Sequence, residues 1–499
     1  MTSAGTVNQH SRYSERMWQR LFRRFQPRAS TLQGQLRDMI VGAILDGFLA
    51  PGAAVPSTRA LAKTLKVSRL TVTLALQTLT DKGLLVSRAR SGFYVSTELQ
   101  STFFGSRDAL ADELPRPRWT RKLAFMPSKQ RNIVKPADWQ RHAFPFIFGQ
   151  FDVSLFPLRE WRQCVQETLQ SAAVMRWAQD RVSNDDEMLV DQIHQRLLPA
   201  RGIWVRRDEI LVTAGAQQGM YMLATLLLDE QSVVGIENPG YPDARNNLLL
   251  RTRNVLLLPV DGNGLALGGK LGRCDYVYVT PSHQCPTTVT MPLEQRQALL
   301  ESAERDDFIL IEDDHESELN VSGRPSPALK SLDRSARVIY LGSLSKTLAH
   351  GLRLGYVVAP AELICELRAL RRLIMRHSAA NNENAAAMFI AHGFHESYLR
   401  RLNLAYRERA SALRTALRTH APSLRSVDAL GGSALWMQAP VGTDTQDLAA
   451  RALVQGIVIE PGEVFFAGRR RPSNTMRLGY SSIATDRIDE GVRRLAALL

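Results

Sequence analysis

From Phe144 onward the chain alternates short apolar runs with longer amphipathic stretches: EILVT, SVVGIE, NVLLLPV, YVYVT, FILIEDD, RVIYLGS and LRLGYVVA. Apolar runs of this length between helical segments predict buried parallel strands of an α/β domain, with a smaller C-terminal α+β subdomain after them. Ahead of Phe144 the pattern changes. Over 31–49, Leu32, Leu36, Met39, Ile40, Ala43, Ile44 and Leu45 recur at helical spacing, and Pro51-Gly52 stops that helix. Ser57 stands at an N-cap position ahead of TRALAKTL, and Ser68 at another ahead of RLTVTLALQTLTDKG. Two helices around a tight turn at 65–67 predict a helix-turn-helix, with Leu61, Ala62, Leu65, Val67, Val72, Leu76 and Leu79 as its shared core. After Gly83, LLVSRARSGFYVS alternates like a hairpin whose tip carries Arg88, Arg90, Ser91 and Gly92. Residues 98–143 hold Pro115, Pro117, Pro127 and Pro136 among mixed charges with little periodicity, which reads as a linker between domains at 1–97 and 144–499.

Composition narrows the class. The 499 residues are 44% hydrophobic and 22% charged, ordinary globular usage that excludes a mainly disordered, collagen-like or coiled-coil chain. No window approaches the roughly 18 consecutive apolar residues of a membrane span. The polar start lacks an apolar core segment, so no secretory signal is expected. Cys164, Cys274, Cys285 and Cys365 are scattered without a CxxC pair, which is neither a disulfide framework nor a metal site, and a reduced cytoplasm is the expected location. Net charge is +14, and the first 100 residues hold 14 Lys and Arg against 5 Asp and Glu. Such asymmetry suits a module that neutralises phosphates, although a basic solubility tail would look the same.

The segment VPSTRALAKTLKVSRLTVTLALQTLTDKGLL with RARSGFYV resembles the winged helix of GntR-type bacterial transcription regulators over nearly its whole length. The resemblance implies DNA contacts by Arg59, Ser68, Arg69, Thr71, Arg90 and Gly92, with the second helix in a major groove and the wing on the backbone or in the minor groove. Thr73 faces the same way where many members carry Arg, so one contact is expected to be missing. The competing reading is a helical protein-interaction domain whose arginines solvate a surface.

The second domain carries different chemistry. In EILVTAGAQQGMYMLATLLLDE, Gly215, Ala216 and Gln217 fall at a helix N-terminus, where unpaired N–H groups favour a phosphate. FILIEDDHESEL puts carboxylates at the C-terminal end of a buried strand, the usual ligand edge of an open sheet. RVIYLGSLSKTLAHGLRLGY brings Ser343, Ser345, Lys346 and Arg353 close in sequence, an amine beside hydroxyls and a guanidinium. Each alone is as readily a cap, an ion pair or a surface lysine.

With SLFP, ENPGYP, TPSHQCPTT, SLSK and MRLGY in order, residues 144–499 resemble the fold-type I, class I/II aminotransferases, and the whole chain resembles the MocR/GabR-type regulators. The resemblance implies pyridoxal 5'-phosphate as cofactor, with Lys346 carrying the Schiff base, Asp313 pairing with the pyridine nitrogen and Tyr241 stacking on the ring. Gly215, Ala216, Gln217, Ser343 and Arg353 would hold the phosphate, and Arg477 would receive an effector carboxylate. His315 occupies the place of a Tyr that contacts the phenolic oxygen, and Cys285 that of an Asn. Thr288 replaces a turn Gly, so the loop is expected to differ or the φ angle to be negative. DRVSNDDEML lacks a glycine of the substrate-side wall. The expectation is therefore a homodimeric transcription regulator binding operator DNA and sensing an amine or amino acid through aldimine exchange at Lys346, with little or no turnover. The alternatives are an active aminotransferase with a DNA-binding head, and a regulator of vitamin B6 supply that senses the cofactor itself.

Overall fold

The computed structural model describes residues 15–25, 31–89, 91–98, 118–150, 152–319, 326–427, 431–469 and 471–499. The chain divides after Ala124 into two compact units. The second begins at Phe125, so residues 125–143 of the expected linker are part of it.

The first unit packs α1 (Glu15–Arg24), α2 (Leu32–Leu45), α3 (Thr58–Leu65) and α4 (Arg69–Asp81) against a hairpin of β1 (Leu85–Arg88) and β2 (Gly92–Val95). The capping expected at Ser57 and Ser68 is present: each Oγ accepts a backbone N–H three residues on, from Ala60 at 3.2 Å and Thr71 at 3.0 Å. Between the helices Lys66 takes a left-handed φ of 56° and closes the turn. Leu36, Met39, Ile40, Leu61, Leu65, Val72, Leu76 and Leu79 form one core with Trp18, Leu21 and Phe22 of α1. Burying each large side chain stabilises the unit by about 1.5–3 kcal/mol. At Gly42 a Cβ would lie 2.4 Å from Phe25, so α2 needs glycine where Phe25 crosses it.

The second unit is built on an eight-stranded sheet. Its strands are β3 (Ile210–Thr213), β4 (Val234–Asn238), β5 (Val255–Asp261), β6 (Gly264–Leu265), β7 (Tyr276–Val279), β8 (Ile309–Asp313), β9 (Val338–Ser343) and β10 (Gly355–Val358), in the order β3-β10-β9-β8-β7-β4-β5-β6. All seven apolar runs are strands. Their directions differ from the expectation of parallel pairing: β9, β8, β7, β4 and β5 are parallel, whereas β10 runs antiparallel to both β9 and β3, and β6 folds back on β5. A continuous apolar run reports burial on both faces and says nothing of strand polarity. Ala216–Leu227 (α5), which follows β3, and Ala361–Met375 (α6), which follows β10, pack on this sheet. A second, four-stranded antiparallel sheet at the C-terminal end includes Ala434–Gln438, Glu460–Pro461 and Thr475–Gly479. Among the described residues no helix is long and apolar enough to cross a membrane.

Candidate functional site

A cavity of about 320 Å³ opens at the C-terminal ends of β8 and β9. Ala216, Gln217, Tyr241, Cys285, Asp313, His315, Ser343, Ser345, Lys346, Arg353 and Arg477 all line it, so residues spread over 260 positions of sequence converge on one space. Gly215 is not among the lining residues; it precedes them as the N-cap of α5, with φ 83° and no side-chain cap. A Cβ at Gly215 would stand 2.8 Å from Arg353 Nη2, so glycine lets the guanidinium rest on the turn, where Nη2 donates to Ala214 O at 3.1 Å. Arg353 itself adopts a left-handed φ of 53°.

Asp313 ends β8 with one oxygen engaged and one open. Tyr278 Oη donates to Oδ2 at 2.5 Å, while Oδ1 is buried without a hydrogen-bond partner, 3.8 Å from His315 Nδ1. Burial lowers the Lys346 amine below the ordinary lysine value; the nearby Arg477 pushes the same way and Glu316 opposes it. A desolvated lysine holds more of its amine neutral and nucleophilic. His350 is pushed down to about 3, first by burial and then by Lys346, so its imidazole is neutral at the cavity wall.

Arg477 is buried in the second sheet, where its Nε donates to Glu460 Oε2 at 2.8 Å and its guanidinium stacks 3.9 Å from the Phe148 ring centre. Its Nη2 has no partner. Lys135 Nζ approaches the same carboxylate, 3.3 Å from Oε1, and donates to Phe148 O at 2.5 Å. Burial pushes Glu460 up, but Arg477 and Lys135 outweigh it and hold the carboxyl below its ordinary value. Burial also lowers Lys135, to about 8. Sequence pattern marks none of Lys135, Phe148 and Glu460, whose segments have no informative periodicity; for Tyr278 the run YVYVT predicts the strand but not the contact with Asp313.

Two expectations about departures change. Thr288 has a φ of 61°, so of the two expected alternatives the negative angle is excluded. A β-branched residue in that region is strained by about 1–2 kcal/mol, and the turn is held by Thr288 N–H donating to Gln284 O and by Gln284 Nε2 donating to buried Glu237. Residues 180–189 do not line the cavity. Instead Asp185 is buried against Arg368 and Arg371 of α6, and Asp186 caps the helix that starts at Glu187.

In the first unit, Arg59, Ser68, Arg69 and Leu70 are exposed and Thr71 and Thr73 are half-buried. Thr73 Oγ1 donates back to Arg69 O, and Arg69 Nε reaches Thr58 Oγ1 at 3.3 Å. Gly92 has φ 107° at the start of β2, where Arg88 stacks on Tyr94. Arg90 lies outside the described residues.

Residues 184–495 match the aminotransferase class I and II family, and residues 32–95 match the gntR family of bacterial regulatory proteins. The chain is 40% identical to the HTH-type transcriptional regulator TauR of Rhodobacter capsulatus, covering 94% of this chain and 96% of that one. It is 29% identical to the probable rhizopine catabolism regulatory protein MocR of Rhizobium meliloti, over 92% of each. The second unit is similar to the crystal structure of LysN, the α-aminoadipate aminotransferase of Thermus thermophilus complexed with N-(5'-phosphopyridoxyl)-L-leucine. There the TM-score is 0.69 at 29% identity, covering 77% of this chain and 98% of that one. The donor set fits a pyridoxal phosphate on its own terms. An uncapped helix N-terminus with Ser343 and Arg353 suits a phosphate. The open Oδ1 of Asp313 suits a protonated ring nitrogen, and the desolvated Lys346 amine suits an aldehyde.

Proposed function

We propose a function from one premise: this chain belongs to the aminotransferase class I and II family and carries a gntR-family domain ahead of it, the organisation of the MocR-type HTH transcriptional regulators. On our reading it is a DNA-binding regulator whose second unit binds pyridoxal phosphate and senses an amine or amino acid. The observation that carries this is the single cavity joining Lys346, Asp313, Tyr241, Arg353 and Arg477 in a chain with a helix-turn-helix. Bound there, pyridoxal phosphate supplies an aldehyde that condenses reversibly with primary amines. Lys346 offers the attachment amine, and Asp313 holds a proton at the ring nitrogen through its open Oδ1. Gly215, Ala216, Gln217, Ser343 and Arg353 orient the phosphate, while Tyr241 covers the ring. Arg477 receives the effector's acid group through its unpartnered Nη2. Arg59, Ser68, Arg69, Thr71, Thr73, Arg90 and Gly92 contact operator DNA, with two copies of the chain reading paired half-sites. Effector binding alters DNA affinity only if it favours one conformation over another.

Borohydride reduction of the loaded chain followed by peptide mass mapping tests the attachment. The expected adduct is on Lys346 and absent in Lys346→Ala; an adduct at another lysine in that variant defeats the assignment. A second reading, an active aminotransferase, is favoured by the completeness of the attachment set and the likeness to LysN. Against it stands His315 at the position where the aminotransferase resemblance places a tyrosine. Repeated conversion of an amino acid to its keto acid by the purified chain would establish the enzyme.

A further inference from the structure

Three cations crowd one aromatic ring at the cavity wall. Arg477 Cζ, Lys346 Nζ and Lys135 Nζ lie 3.9, 4.8 and 6.0 Å from the centre of Phe148. Lys346 is assigned to the cofactor. The other two share one carboxylate, Glu460, which lies outside the cavity lining while both cations line it. One negative charge against two leaves a net positive charge in a buried site, an arrangement an anion would relieve. The donors that remain point to where that anion sits. Arg477 Nη2 is buried with no partner. Lys135 has three N–H donors; one goes to Phe148 O and one faces Glu460 Oε1 at 3.3 Å, which leaves a third for a ligand.

We propose that Lys135 is a second effector-binding residue: with Arg477 it grips the acid group of a short amino acid whose amine lies toward Lys346. The site then selects an amine bearing an acid group over a simple amine. The acid lies near the amine, because Arg477 and Lys346 lie 3.9 and 4.8 Å from the centre of one ring and so stand no farther apart than the sum of those distances, which suits a short spacer. The inference rests on the amine-sensing reading above and adds a residue from the segment ahead of the family-matched region. The rival role for Lys135 is a clamp that pins its own segment through Phe148 O. A clamp would affect every ligand alike.

The full chain, loaded with pyridoxal phosphate, is titrated with glycine, β-alanine and n-propylamine while the cofactor absorbance is followed. The wild type is expected to bind the two amino acids about tenfold or more tightly than n-propylamine. Lys135→Met is expected to lose about that factor for the amino acids alone, with n-propylamine as the internal reference, and Lys135→Arg to restore most of it. Equal loss for all three ligands, or no loss for the amino acids, overturns the proposal. No response to any amine in the wild type overturns the amine-sensing reading itself.

The wild type also supplies a test without substitution. Glu460, Arg477, Lys346 and His350 face Lys135; burial holds His350 neutral, down at about 3, and lowers the Lys135 amine to about 8. The preference for amino acids over n-propylamine should therefore shrink between pH 7 and 9, and stay flat in Lys135→Arg. A wild-type preference that does not change over that range also overturns the proposal.

Discussion

At Gly215 a missing side chain governs where a charge can rest. Its backbone, at φ 83° and ψ 163°, lies in a region that only glycine populates readily. Gly215→Ala should therefore cost about 1–3 kcal/mol of stability, read from urea unfolding. It should also weaken pyridoxal phosphate binding, because the new Cβ displaces Arg353. Unchanged cofactor affinity would remove Arg353 from the phosphate site. Gly215 is legible in sequence as a helix start and Lys346 as an amine among hydroxyls, whereas the roles of Asp313 and Arg477 come from the family resemblance. Lys135 and Glu460 were not legible. Their meaning arises only when chain segments 325 residues apart meet at one ring, and neither KPAD nor VIEPGE carries a local sign of it.

At the scale of elements, the recognition helix α4 depends on its first residues. Ser68 Oγ accepts the Thr71 N–H and also lies 2.7 Å from Thr71 Oγ1. Ser68→Ala should cost about 1 kcal/mol, within about 0.5–2, as a lowered urea midpoint of the first transition to involve this unit. Arg69→Ala removes an exposed side chain without touching the core. Its DNA affinity should fall by about 1–3 kcal/mol in fluorescence anisotropy if Arg69 reads a base, with the cofactor absorbance unchanged. A large absorbance change would refute the separation of the two sites. Elements were more legible than their directions. Caps, periodicity and turn residues placed α3, α4 and the hairpin, and apolar runs placed seven strands. The reversal of β10 between β3 and β9 left no mark, since GYVV is buried on both faces in either polarity.

For the whole molecule, buried carboxylates set the response to pH. Burial is the main cause that pushes Glu237 and Glu383 up to about 7, and it raises Glu312 as well, helped by the neighbouring Asp314 charge. A carboxyl raised in the folded state binds protons there that the unfolded chain has already released. Its stabilising contribution is fully present below the ordinary glutamate value of about 4.3 and is lost as pH rises through about 7. Asp314 behaves oppositely. Burial pushes it up, but Arg201 at 2.8 Å reverses this and lowers it, so its contribution persists above the ordinary aspartate range and fades as pH falls below it. Buried His283 and His350, held down at about 4 and about 3, act the other way below the ordinary histidine value. The three raised carboxyls outweigh them, so the urea midpoint should be higher at pH 5.5 than at pH 8. Glu383→Gln should shrink that difference, because Glu383 is buried with one oxygen unpartnered; an unchanged difference would exclude it as a source. The position of Lys135 has a bearing on inheritance. Gln130, Arg131 and Lys135 are tied to Asn246, Glu463 and Glu460, so the chain just ahead of the sheet belongs to the second unit, and Lys135 lines its cavity. Recombination that joins a new DNA-reading head at residue 144 would carry off part of the cavity wall with the old one. Crossovers before Phe125 would pass on the second unit intact, and the useful breakpoints for shuffling such regulators lie there.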